Sequence, residues 1–157
     1  MYPIELVIPM AKDLTDFGFT GLSTPQEVES VLGSTEGTVL MVVNSVCGCA
    51  AGNARPAAKF ALQNATKPTK AVTVFAGVHK EAVEKAREFL LPYPPSSPAI
   101  ALFKDGQLVH MIERHHIEGR SAQMIADNLM KAMNTHCLLY TSPSPRDATL
   151  SRMPSSA

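Results

Sequence analysis

The residues best suited to chemistry are two cysteines separated by one glycine, Cys47-Gly48-Cys49. A thiolate, not a thiol, attacks a disulfide, so the question is what would lower the pKa of one of them. The surrounding stretch NSVCGCAAGNARP offers an answer. An apolar run at 39–43 leads in, and small residues with helical character lead out. Cys47 is therefore expected at or just before the first turn of a helix, where unpaired N–H groups and the helix dipole favour negative charge. Cys49 lies two residues on. A disulfide needs Cα atoms about 4.4–6.8 Å apart, whereas an extended tripeptide spans roughly 6.6–7.2 Å, so the chain must turn. Gly48 supplies that freedom. The closed ring is smaller than that of a Cys-X-X-Cys pair, and its strain favours the dithiol. A relatively oxidising pair is expected, better suited to exchange and isomerisation than to strong reduction.

Ser97-Pro98 is the second chemical feature. A proline in a tight turn before a strand is a candidate cis bond, leaving the Ser97 backbone free to pair with an extended thiol substrate beside Cys47. Three further groups of residues are weighed. Cys47, Cys49, His115 and His116 have the ligand types of a metal site, but adjacent histidines on a strand point apart and the spacing is narrower than in structural zinc sites, so no metal is assigned. Arg55 is read as a solvated or salt-bridging side chain that could steady the thiolate. His110, His115 and His116 are read as surface or sheet-edge groups, Cys137 as an exposed non-essential thiol, and Met124, Met130 and Met133 as core filling.

The elements that would carry these residues follow from periodicity and punctuation. Residues 5–14 have helical spacing interrupted by Pro9. Residues 17–22 read as a loop whose aromatics cover the core. Thr24-Pro25-Gln26-Glu27 is a capping box opening a helix that Gly33 ends. Residues 38–44 are apolar without alternation, as in a strand covered on both faces. A helix follows from about residue 49 or 50 to 64, with Pro56 kinking it or delaying its start. A second buried strand is expected at 71–76, a helix at 80–91, and a third strand at 99–103. Asp105-Gly106 makes a hairpin to a fourth strand at 107–112, and Ser121 caps a last helix. The order is β-α-β-α-β-β-α behind one or two leading helices. That is the thioredoxin-like order, a three-layer α/β/α with a mixed four-stranded sheet.

Composition sets the class. The chain has 157 residues, 45% apolar and 18% charged, enough for one domain with a core. Its net charge is zero, which gives no electrostatic case for nucleic acid or an acidic membrane as partner. No apolar run approaches the ~20 residues of a membrane span, and no signal-peptide pattern opens the chain, so the expected location is cytoplasmic. Three cysteines are no disulfide framework. Residues 138–157, LLYTSPSPRDATLSRMPSSA, are rich in Ser, Pro and Thr without apolar period. They are expected to be a disordered, non-native appended tail, leaving 1–137 as the domain.

The blocks NSVCGCAAGNARPA, VTVFAG, PPSSPAIALF and HMIERHHIEG resemble the bacilliredoxin family, thioredoxin-like proteins with a CGC site. The resemblance spans nearly all of 1–137. It implies removal of the small thiol bacillithiol from mixed disulfides on S-thiolated client proteins, with a modest disulfide-isomerase activity from the same chemistry. On that pattern Cys47 attacks, Cys49 resolves, and Gly48, Ser97 and Pro98 border the substrate. No cofactor is implied beyond bacillithiol as thiol co-substrate. The alternatives are a metal or iron–sulfur carrier using the same thiols, or a non-catalytic interaction module on this fold.

Overall fold

The computed structural model describes residues 3–34 and 36–137. The expected tail at 138–157 lies outside the described residues. Helix α1 (Ile4–Thr15) runs through Pro9. Strand β1 (Thr20–Gly21) is followed by α2 (Pro25–Leu32), opened by the expected capping box: Thr24 Oγ1 accepts from the Glu27 N–H at 3.2 Å, and Glu27 Oε1 accepts from the Thr24 N–H at 3.1 Å. Strand β2 (Thr38–Asn44) delivers the cysteines to a π-helical turn (Ala50–Ala54) that continues as α3 (Arg55–Ala61). Then come β3 (Lys70–Phe75), α4 (Lys80–Glu88), β4 (Ala99–Lys104), β5 (Gln107–Ile112), the short α5 (Arg114–Ile117) and α6 (Ala122–His136).

The sheet order is β1-β3-β2-β4-β5, with β2–β3 parallel and β2–β4 and β4–β5 antiparallel. The sheet thus has five strands, not four. The extra one, Thr20–Gly21, was read as loop because two residues pairing parallel to Val72 and Thr73 leave no periodic signal. β2 is central, which explains its unbroken apolar run. Leu40 and Val42 face a core shared with α3 and α6, while Val39, Met41 and Val43 face α2 and α4. Helices on both faces complete three layers.

Several local expectations change. Phe19 is buried as read, but Phe17 is 42% exposed. Met124 is 58% exposed, because its position on α6 falls off the stripe of Ile125, Leu129 and Met133. Cys137 is buried at 4%, not exposed; it packs in the α3–α6 core, where burial pushes its thiol pKa up against the opposing influence of Thr38 and Lys104. α3 stops at Ala61, short of residue 64.

Candidate active site

The cysteines leave the carboxyl end of β2 through a loop with no slack. Asn44 is 1% exposed and Ser45 is 7% exposed. Asn44 Nδ2 donates to the Met10 carbonyl at 3.2 Å, and its Oδ1 accepts from the Ser45 N–H at 2.8 Å. Arg55 Nη1 donates to the same Oδ1 at 2.9 Å and to the Ser45 carbonyl at 3.0 Å. The other end of its guanidinium meets Asp13 on α1 through Nε at 3.2 Å, and Lys59 meets that carboxylate at 2.5 Å. Arg55 is thus a buried clamp between α1, β2 and α3, the salt-bridging of the two expected roles and not the solvated one. Its donors go to the Asp13 carboxylate and to the amide and backbone oxygens that fix the loop's path.

Pro56 explains the π turn. It has no N–H to give to the Gly52 carbonyl, and the preceding Arg55 N–H bonds instead to Ala50, five residues back. The regular α-helix therefore starts late, one of the two outcomes expected for this proline. Asn53, in that turn, donates its side-chain amide to the Arg120 carbonyl, tying the turn to the segment after α5.

Cys47 caps the helical run: its carbonyl accepts from Ala50 and Ala51 at 3.0 and 3.2 Å, and its own N–H donates to Ser45 Oγ at 3.3 Å. Both cysteines are free thiols and both are half-buried. Burial pushes the Cys47 thiol up. The Ser45 hydroxyl, the Ala50 and Cys49 N–H groups and the charge of Arg114 outweigh it and hold Cys47 below the ordinary cysteine range. Cys49 moves the other way. Burial, the Cys47 charge, the hydrogen bond to Cys47 and the charge of Glu118 all raise it, with only Arg114 opposing. The two thiols also face different surroundings. Cys49 packs against the α3–α6 core, and Cys47 opens into a cleft of ≈ 530 Å³ lined by Ser45, Val46, Ala76, Val83, Ser97 and Arg114 among others.

Ser97–Pro98 is cis, as its place before β4 suggested; Leu91–Pro92, which carried no such expectation, is cis too. Ser97 and Cys47 line one cleft, while Pro98 is buried behind Ser97 and Gly48 lies exposed on the loop. The Ser97 backbone is not wholly free: its carbonyl accepts from Arg114 Nη1 at 3.0 Å. Gly48 has no left-handed φ, and a Cβ there would meet nothing within 4 Å, so in the dithiol form the position does not demand glycine.

Arg114 is the residue that sequence reasoning missed. Its N–H donates to Ser96 Oγ at 3.4 Å, and its guanidinium pairs with Glu118 at 3.5 Å while facing Cys47. It sits on α5, four residues that continue no apolar stripe and lie past the expected end of the fourth strand at 112. The usable signal was local: Glu113 caps the turn, and Gly119 at φ +76° ends it. The same helix corrects the histidines. His115 and His116 do not point apart along a strand; their ring centroids are 4.0 Å apart. They gather with Glu113, within 4.8 Å, rather than with the thiols. His116 Nδ1 already accepts the Glu113 N–H at 3.2 Å, an engagement that opposes its use as a ligand.

A cis-proline loop opposite a strand-to-helix thiol pair invites comparison with known proteins. The family model described as Disulphide isomerase matches residues 2–137. A bacilliredoxin of Cytophaga hutchinsonii is 61% identical over 129 residues, 82% of this chain and 95% of its own. One from Halalkalibacterium halodurans is 53% identical over 136 residues, 87% of this chain and 94% of its own. The chain belongs to the bacilliredoxin family. Solved thioredoxins share the fold at low identity. Mitochondrial thioredoxin 3 of Saccharomyces cerevisiae, in its oxidised form, aligns with TM-score 0.53 at 19% identity over 78% of this chain and 98% of its own. Fasciola hepatica thioredoxin aligns at 0.52 and 16% over 75% and 99%. At the level of the bacilliredoxin family the protein is a thiol–disulfide oxidoreductase. Among the described residues no helix is long and apolar enough to cross a membrane.

Proposed function

We propose that this protein removes a small thiol, bacillithiol or one like it, from mixed disulfides on oxidised client proteins. The observation that carries the reading is the inequality of the two thiols: Cys47 is lowered and opens into the cleft, while Cys49 is raised and packs against the α3–α6 core. The Cys47 thiolate attacks the small-thiol sulfur of the client disulfide. A Cys47–small thiol disulfide forms, and the client sulfur leaves as a thiolate that takes a proton from water. Neutralising Cys47 removes the main charge that raised Cys49, so Cys49 ionises more easily after the first step than before it. Its thiolate attacks Cys47 Sγ, expels the small thiol and closes the Cys47–Cys49 disulfide. Reduction by an external dithiol, or by two small thiols, resets the pair. Stabilising the Cys47 thiolate stabilises the reduced form and makes the disulfide a better oxidant. The same attack on protein disulfides would give isomerase activity. No cofactor is needed beyond the small thiol, and a reducing cytoplasm suits such a cycle.

The test is a client protein carrying a bacillithiol or glutathione mixed disulfide, followed by intact mass. Cys47→Ser should abolish release of the client thiol. Cys49→Ser should release it once and retain one small thiol per chain. Normal turnover by Cys47→Ser with a dead Cys49→Ser would reverse the assignment, and the adduct masses show which small thiol is preferred.

A further inference from the structure

A second cavity adjoins α5. It measures ≈ 490 Å³ and is bounded by β5, α5, the segment after α5 and the first half of α6. It shares no lining residue with the cleft of Cys47: α5 gives Arg114 to that cleft and His116 to this cavity. The buried Ile112 and Ile125 make part of its wall apolar, and Met124, 58% exposed, adds to it. Three of its polar side chains are each fixed by a hydrogen bond that leaves donors over. His116 Nδ1 accepts the Glu113 N–H at 3.2 Å, so the neutral ring carries its proton on Nε2. Asn128 Oδ1 meets His110 Nε2 at 2.6 Å; that oxygen only accepts, which leaves the two amide N–H groups of Asn128 unspent. Arg120 Nη1 donates to the His116 carbonyl at 3.0 Å, and the Arg120 carbonyl accepts from Asn53, so its guanidinium and its backbone are both held. Among the described residues Arg120 has no carboxylate within ion-pair distance. No carboxylate lines the cavity. Those carried by the elements around it are engaged: Glu113 accepts from the His116 N–H at the start of α5, Glu118 pairs with Arg114 at 3.5 Å, and Asp127 accepts from Gln123 at 2.8 Å.

We propose that this cavity is a binding site, separate from the thiol cleft, for a small organic carboxylate with an apolar body. A guanidinium, an imidazole N–H and an amide offer donors with no competing carboxylate, which is what the two oxygens of a carboxylate require. Side chains already held in place lose little freedom when a ligand arrives. Ile112, Ile125 and Met124 take the body, and the unbranched thioether adapts to its shape. A cavity of this volume, part apolar and with a few convergent polar groups, has the build of a small-molecule site. An inorganic anion would leave the apolar wall wet, and a neutral apolar molecule would leave Arg120 without a counter-charge. The site takes no electron or proton from the thiols, so it stands or falls apart from the exchange reading.

The experiment titrates 4-fluorobenzoate into the full chain, read by fluorine NMR and by the methyl signal of Met124, assigned with Met124→Leu. It is repeated after Cys47 and Cys49 are capped with iodoacetamide, which puts neutral groups on the thiols. Capping should leave the affinity unchanged, and the Met124 methyl should move as the probe saturates. Acetate has the charge without the body, and 4-fluorobenzamide has the body without the charge. Each should be at least about fivefold weaker. Arg120→Gln should weaken 4-fluorobenzoate about fivefold, and Arg120→Lys, which keeps the charge, by less. Asn128→Ala should weaken it about twofold. Both side chains are exposed, so the variants should fold as the wild type does. Absence of saturable binding overturns the proposal, and so does unchanged affinity in the Arg120→Gln/Asn128→Ala double variant. Loss of binding on capping the thiols also overturns it, because the probe would then sit in the cleft of Cys47.

Discussion

Two arginines flank the Cys47 loop, and their environments are opposite. The Arg55 side chain is 6% exposed and each end of its guanidinium is matched, to Asp13 on one side and to Asn44 and the Ser45 carbonyl on the other. The Arg114 side chain is 43% exposed and holds Glu118 loosely at 3.5 Å while its charge acts on Cys47. Both sit within reach of the same loop. One sets where the thiol is; the other sets how readily it ionises. A buried, fully paired charge has little freedom to respond to a reaction, whereas an exposed one can follow the charge as it leaves Cys47 for the client sulfur.

The comparison breaks most visibly at Arg55. Arg55→Met removes a donor from the buried Asn44 Oδ1 and Ser45 carbonyl and leaves the half-buried Asp13 with Lys59 alone. It should cost about 3 kcal/mol of stability, read by denaturant unfolding. In the molecules that remain native, the pH midpoint of Cys47 alkylation should stay nearly where it was, because Arg55 gives its hydrogen bonds to the loop and none to the thiolate. An unchanged stability with a displaced midpoint would show that the roles are reversed. Arg55→Lys should also destabilise, since an ammonium cannot span the three acceptors that the guanidinium fork reaches.

Arg114→Gln should do the converse. Stability should hardly change, as expected for an exposed ion pair. The Cys47 midpoint should rise toward that of an ordinary cysteine, because removing a cation disfavours the thiolate. Below that midpoint alkylation should slow roughly two- to fivefold, the range an exposed charge pair commands. The pair should also become less oxidising, since the reduced form loses stabilisation. A shift in the other direction would remove Arg114 from the site.

The same contrast explains what could be read in the chain without coordinates. β2 was legible because a strand buried on both faces must be apolar at every position, and Leu40, Val42, Val39, Met41 and Val43 are. The capping box at Thr24 and the turn at Asp105-Gly106 were legible because their chemistry is local. Cys47, Cys49, Ser97 and Pro98 could be singled out by type and spacing. Arg55 was named with two roles open, solvated or salt-bridging, because the choice depends on Asp13, 42 residues away. Arg114 was not named, because a four-residue helix has no period to detect and its approach to Cys47 is a contact across the sheet end. Cys137 was misread for a related reason: nearness to the end of a helix says nothing about the core that the last turn meets.

Glu118 gives the smallest effect and the finest test. It pairs with Arg114 and raises Cys49, while the largest influences on Cys47 are burial, the Ser45 hydroxyl, the Ala50 and Cys49 N–H groups and Arg114. Glu118→Gln should therefore ease ionisation of Cys49 directly and of Cys47 only through an Arg114 no longer shared. Both shifts are downward, opposite in sign to that of Arg114→Gln, and each is expected to change rates by less than about twofold, less still in high salt. The two routes separate in a double-mutant cycle. In an Arg114→Gln background, Glu118→Gln should still lower the Cys49 midpoint but leave that of Cys47 unmoved. If Cys47 still responds, the carboxylate reaches the first thiol without the arginine, and the exposed side of the site is a field shared by several charges, with no single arginine tuning one sulfur.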